Sequence, residues 1–232
     1  MGQVSTYAVS DVGLVRTNNE DAYFVDPERG LVIVADGMGG HAAGEVASQL
    51  TIETISKQVT PSSSIWPFGK SQRERELLIR AIREANERVR AAASEDETRR
   101  GMGTTVVVLW IRGRRAHVAH VGDSRIYRYR GGGLVQLTQD HSWPSEDGGM
   151  RNVLTRAVGA EDNVEVDHRI VEISGGDVFL LCSDGLTRTV DDGAIVRTLQ
   201  ECHDAEAVAA RLIELAKANG APDNVTVALA YC

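Results

Sequence analysis

The chain lacks any cysteine pattern that could staple it. Cys182, Cys202 and Cys232 are widely spaced and form no C-x-x-C pair. That excludes a disulfide framework and a cysteine zinc site, and it fits a reducing compartment. Cys182 lies in the apolar run V-F-L-L-C and is expected as a buried core thiol. No stretch approaches the roughly 18 apolar residues of a membrane span, and the N-terminus has no signal-peptide pattern. A cytosolic monomer without a membrane span is therefore expected. A basic surface is missing too: 25 Lys and Arg against 33 Asp and Glu leave a net charge of −8. This argues against a nucleic-acid partner. It leaves phosphorylated substrates open, because bound divalent cations reverse a local field. Neither a repeat nor a low-complexity linker divides the 232 residues, so a single domain over 1–232 is expected.

What is present is a series of short strand-like runs. They fall near residues 6–10, 22–26, 31–35, 104–111, 116–121, 125–129, 134–137, 168–173, 178–182 and 224–231. Glycine-bearing connectors such as R-G-R (112–114) and R-G-G-G (130–133) join several of them, which predicts antiparallel hairpins. Three stretches have helical periodicity instead. From Ala43 the apolar stripe is Val46, Leu50, Ile55 and Val59; from about Ser71 it is Leu77, Leu78, Ile82, Ala85 and Val89. The third runs over 204–218 with Val208, Leu212 and Leu215 inward and Asn219-Gly220 as its C-cap. Many antiparallel strands with a few long amphipathic helices predict an α+β layered fold.

Acids recur at the turns: Glu20-Asp21, Asp36-Gly37, Asp123, Asp184-Gly185 and Asp223-Asn224. Asp36, Asp184 and Asp223 border apolar strands, where a short carboxylate can enter a cleft with little loss of side-chain entropy. Each Asp-Gly alone is a routine turn dipeptide. Several acids converging on one point would repel one another unless cations compensate them. Oxygen-only ligands suit Mg²⁺ or Mn²⁺, not zinc. Gly37 would let its carbonyl approach an ion closely, and Arg16 could offer phosphate a bidentate fork.

Read in order, the motifs are R-x-x-x-E-D (16–21), D-G-M-G-G-H-x-x-G-E (36–45), G-M-G-T-T (101–105), V-G-D-S-R (121–125), L-T-Q-D-H-S (137–142), N-V-L-T-R-A-V-G (152–159), C-S-D-G-L (182–186) and D-N-V-T (223–226). This set resembles the metal-dependent serine/threonine protein phosphatases of type 2C, in their compact bacterial form. The resemblance implies a four-layer α-β-β-α sandwich, two mainly antiparallel sheets flanked by helices. It also implies a site of two Mn²⁺ or Mg²⁺ ions, with hydrolysis of phosphoserine and phosphothreonine by direct attack of a metal-bridging water. By the same resemblance, Asp36 is the bridging carboxylate, Asp184 and Asp223 bind the first metal, and Glu20 and the Gly37 carbonyl bind the second. Asp21 supports the second site, Asp123 binds a weaker third metal, and Arg16 holds the phosphate. The implied partners are phosphorylated proteins, including a bacterial Ser/Thr kinase.

Three departures qualify the resemblance. Met38 stands where many relatives have a histidine proposed as general acid, and His41 nearby reads as a structural turn residue. The connector after D-H-S (143–150) is short for a flap, which predicts an open cleft. Arg188 replaces a frequent acid, so Asp123 could be a metal ligand or only a hydrogen-bonding residue. An inactive phosphoprotein-binding relative and a small-molecule phosphohydrolase are the other readings. Retention of every matched ligand position disfavours the first.

Overall fold

Strands buried on both faces show which apolar runs lie between two other layers. Residues 31–35, 106–111, 178–182 and 225–230 are of this kind. A computed structural model describes residues 4–39, 43–60, 70–143, 153–202 and 204–232. The chain opens with β1 (Ser5–Asp11), β2 (Asp21–Asp26) and β3 (Leu31–Met38), followed by helices α1 (Ala43–Gln58) and α2 (Lys70–Glu95). The middle is all strand: β4 (Gly103–Thr104), β5 (Val106–Arg112), β6 (Arg115–Val121), β7 (Arg125–Arg130), β8 (Gly133–Gln136), β9 (Ser142–Trp143), β10 (Val153–Leu154), β11 (Asp167–Glu172) and β12 (Val178–Cys182). Helices α3 (Asp184–Thr187), α4 (Asp192–Glu201) and α5 (Ala205–Ala218) then lead into β13 (Val225–Tyr231).

Two large antiparallel sheets result, beside a two-stranded ribbon of β9 and β10. One has the order β1-β13-β12-β7-β8 and the other β11-β6-β5-β3-β2. Their facing surfaces meet in a core that joins Val32, Val34, Val107 and Leu109 to Ile126, Phe179, Leu181 and Ala228. The alternate residues point outward. Leu31, Ile33, Val106 and Val108 pack under Ile52, Ile55, Leu78 and Ile82 of α1 and α2. Leu180, Val227 and Leu229 pack under Ile195, Val208 and Leu212 of α4 and α5. The two-residue period of the strands thus fills three interfaces at once. The predicted four-layer α-β-β-α sandwich is the observed one.

Several details differ from the sequence expectation. The inward face of α1 is Ala47, Ser48, Thr51, Ile52 and Ile55, while Val46 and Leu50 are only half-buried. Small residues there let α1 lie close against β3, so the bulky stripe marks the helix flank. Helix α4 carries only Ile195, Thr198 and Leu199 inward and gave no periodic signal, although Asp191 caps it by accepting from Ala194 N. The expected strand 104–111 is interrupted at Thr105, whose N–H goes to the Asp36 carbonyl. Helix α5 ends as expected at Asn219, followed by Gly220 at φ 95°. Cys182 is fully buried, as expected. No helix among the described residues is long and apolar enough to cross a membrane. His41 and the connector at 144–150 lie outside the described residues.

Candidate metal centre

Sheet register alone sets two acids side by side: Asp21 on β2 is the pairing partner of Asp36 on β3. Like charges directly opposed across strands are destabilising. At the same end of the other sheet, Asp184 follows the end of β12 and Asp223 precedes β13, its neighbour. The ends of the two sheets enclose a cleft of about 380 Å³, lined by Arg16, Glu20, Asp36, Gly37, Asp123, Asp184, Arg188 and Asp223 with Met38, Thr105 and two apolar residues. Asp21 is buried and does not line the cleft; its Oδ2 accepts from Ser183 Oγ at 2.7 Å and Thr226 Oγ1 at 2.6 Å. A larger concavity of about 530 Å³ beside Val118 and His168 has no such gathering of carboxylates.

The backbone is pinned around these side chains. Asp36 N–H donates to Thr105 Oγ1 at 3.0 Å, and the Asp36 carbonyl accepts from Thr105 N–H and from Thr104 Oγ1, each at 2.9 Å. Asn224 ties down the loop that carries Arg16 and Glu20: its Oδ1 accepts from Glu20 N–H at 2.9 Å, and its Nδ2 donates to the carbonyls of Val12 and Asn18. Ser48 Oγ on α1 donates to the Glu20 carbonyl at 2.7 Å. The L-T-Q-D-H-S motif serves the Asp123 loop. His141 Nδ1 accepts from Gly122 N–H at 3.2 Å, and Asp140 pairs with Arg125 at 2.7 Å. Sequence reasoning overlooked Thr104, Thr105, Asn224 and Ser48. The first three sit inside the quoted motifs, and their roles lie in backbone contacts that spacing cannot reveal.

Close approach here requires two glycines. A Cβ on Gly37 would fall 2.2 Å from the Gly44 carbonyl oxygen and 2.5 Å from that of Glu20; one on Gly44 would fall 2.8 Å from Glu20 Cδ. No side chain fits in either place, so β3, the start of α1 and Glu20 meet directly.

The acids hold protons strongly. Burial first, then the charges of Asp21, Asp184, Asp223 and Asp123, push the Asp36 pKa well above the usual carboxylate range. Burial raises Asp184 to about 7 against the pull of Arg188, and raises Asp21 to about 6 against hydrogen bonds from Thr226 and Ser183. Burial also raises Glu20 and Asp123. Asp21 Oδ1 and Arg16 Nε are buried without a hydrogen-bond partner among the described residues. Arg16 Nη2 meets Asp223 Oδ2 at 2.9 Å, and Arg188 pairs with Asp184 while standing 3.7 Å from Asp223. Clustered oxygen donors with unmet charge and an orphaned buried acceptor fit hard divalent cations.

A thiol chemistry does not arise. Cys182 and Arg188 stand at C-x5-R spacing, but Cys182 is a core residue of β12 whose thiol burial pushes up to about 12. It is no nucleophile at neutral pH. No histidine is among the described lining residues, and Met38 lines the cleft instead.

Comparison with known proteins agrees with this geometry. The family described as "Protein phosphatase 2C" matches residues 15–226. The serine/threonine protein phosphatase PstP of Mycobacterium tuberculosis is 39% identical over 244 residues, covering 96% of this chain and 44% of PstP. The chain therefore spans less than half the length of that relative. Among solved structures, PppA, a key regulatory component of T6SS in Pseudomonas aeruginosa, superposes with a TM-score of 0.87 at 38% identity, covering 99% of this chain and 98% of PppA. The catalytic domain of PstP in complex with two manganese ions gives 0.85 at 37% identity, covering 98% and 97%. The fold is that of a metal-dependent Ser/Thr phosphatase. The chain belongs to the protein phosphatase 2C family.

Proposed function

We propose that the chain is a Mn²⁺- or Mg²⁺-dependent protein phosphatase acting on phosphoserine and phosphothreonine. The observation that carries this reading is one cleft uniting Glu20, Asp36, Asp123, Asp184 and Asp223 with Arg16. Asp36, central to the cluster and flanked by the other acids, would hold both ions. Asp184 and Asp223 would hold one ion with it, and Glu20 and the Gly37 carbonyl the other. The manganese-bound PstP domain supports a count of two. Asp21 is the positioning residue below Asp36, fixed by Ser183 and Thr226. When bound, divalent cations supply neutralising charge for the phosphoryl oxygens and an acidified water for attack on phosphorus.

The protein's own groups do the rest. Arg16 lines the cleft and keeps Nη2 on Asp223, which holds its guanidinium where it can meet a phosphate oxygen. No thiol is among the described lining residues, which leaves out a cysteinyl-phosphate route, and the family reading makes hydrolysis direct. With no histidine among the described lining residues, solvent is the proton source for the leaving serine or threonine oxygen. The names of the relatives support phosphoproteins as substrates; a Ser/Thr kinase belongs among them. The same reading makes the chain one catalytic domain, monomeric and cytosolic.

A phosphothreonine peptide tests the proposal. Hydrolysis should require Mn²⁺, vanish with excess EDTA and return when Mn²⁺ is restored. Turnover insensitive to EDTA, or none under any condition, would overturn the reading. Cleavage of p-nitrophenyl phosphate without the peptide would assign a small-molecule phosphohydrolase instead.

A further inference from the structure

Four large apolar side chains stand in water beside the cleft. Trp143 is 68% exposed, Val15 67%, Val153 62% and Leu14 59%, the highest values for large apolar side chains among the described residues. A single exposed apolar residue is ordinary. These come as two pairs, and each pair adjoins the cleft. Leu14 and Val15 immediately precede Arg16, and Val153 is itself a lining residue. Trp143 and Val153 are direct register partners in the β9–β10 ribbon, so their side chains share one face of it.

Both pairs are carried on backbone that is tied down. Leu14 N–H donates to the Ala221 carbonyl at 2.9 Å, on the loop that leads to Asp223. Thr155 N–H donates to the His141 carbonyl at 2.9 Å, closing the base of the ribbon, and His141 Nδ1 accepts from Gly122 N–H beside Asp123. A surface ordered in advance loses less freedom when a partner settles on it.

The chemistry of a protein substrate indicates what that partner is. Acids and arginines make up most of the cleft lining, which suits phosphate and cations and offers little to an apolar side chain. A phosphorylated residue within a chain has neighbours whose Cα atoms lie only about 3.8 Å from its own. With the phosphate in the cleft, those neighbours must cross the rim, where the two apolar pairs lie. Burying apolar surface from both partners there favours the complex, and tryptophan is enriched where binding energy concentrates.

We infer that Leu14, Val15, Trp143 and Val153 form a specificity surface that selects protein segments with large apolar side chains beside the phosphoserine or phosphothreonine. This rests on the phosphatase reading above and deepens it by naming the class of substrate sequence. The occupant of the rim is the substrate segment itself.

The test compares kcat/KM of the whole chain, in Mn²⁺, for phosphothreonine peptides with leucine or with glycine on both sides of the phosphothreonine. The parent should prefer leucine by roughly tenfold. Trp143→Ser, and Leu14→Ser combined with Val15→Ser, should each lower that ratio, while Trp143→Phe should keep most of it. A general loss of structure lowers both rates together and leaves the ratio unmoved. A parent without the preference, or serine variants that retain it in full, overturns the inference alone. So does a parent that sediments as a dimer and becomes a monomer in Trp143→Ser, which would give the rim to a second copy. Hydrolysis of neither peptide defeats the phosphatase reading and the inference with it.

Discussion

Asp36→Asn should abolish phosphopeptide hydrolysis, lowering the rate by on the order of 10³-fold or more, while the metal-free variant melts at a higher temperature than the parent. The two effects share one cause. Asp36 is opposed in register by Asp21 and surrounded by Asp184, Asp223 and Asp123. That repulsion is what a pair of divalent cations relieves, and it goes unrelieved when they are absent. Asparagine keeps the shape, so only the charge is lost. The backbone should not move, because Thr104 and Thr105 hold the Asp36 peptide through main-chain groups. A turnover assay with paired thermal melts in EDTA checks both halves. Full activity would show that Asp36 is not the bridging ligand, and a lower metal-free melting temperature would show that its charge is not a liability.

Mn²⁺ should raise the melting temperature sharply, and the rise should grow with pH. At about a thousand times Kd, one bound ion contributes about 4 kcal/mol. For a domain of this size that corresponds to roughly 8–16 °C. The pH dependence follows from the carboxylates. In the metal-free fold Asp184 titrates at about 7 and Asp21 at about 6, against 3.8 for an ordinary aspartate. A folded state that holds a proton more tightly than the unfolded chain gains stability below pH 3.8. It loses that gain as pH rises towards 7. Metal-free protein should therefore soften between about pH 4 and pH 7. Cations bind the ionised form, so their contribution strengthens over the same interval. Thermal melts in Mn²⁺ and in EDTA at pH 5, 6, 7 and 8 should show a widening gap. A gap that narrows with pH would place the metals away from these acids.

The layers and nearly all the strands were legible in the sequence because the signal is local. Apolar runs bounded by glycine connectors state their own period, and the buried runs at 31–35 and 178–182 fold as strands without further information. Helix α4 was not legible, since Ile195 and Leu199 are too few inward apolar residues to set a rhythm. Helix α1 was half legible: its bulky residues mark a flank and its small ones the contact. The acids themselves were visible one at a time. Their convergence was legible only through the family resemblance and not from spacing, because it depends on the register of β2 against β3 and on the ends of β12 and β13. Asn224 and Thr105 act through backbone groups of distant loops, and nothing in their spacing announces it. Arg188 read only as a lost acid; its pairing with Asp184 turns that loss into a compensating charge.

The most direct measurement is an anomalous difference map from a crystal soaked in Mn²⁺. The account predicts two peaks sharing Asp36, one beside Asp184 and Asp223 and the other beside Glu20 and the Gly37 carbonyl. The described residues contain one other grouping of possible ligands, His120, His141 and Asp167, where Arg156 already bonds Asp167 at 2.9 Å. Peaks confined to that grouping, with none at Asp36, would contradict the account.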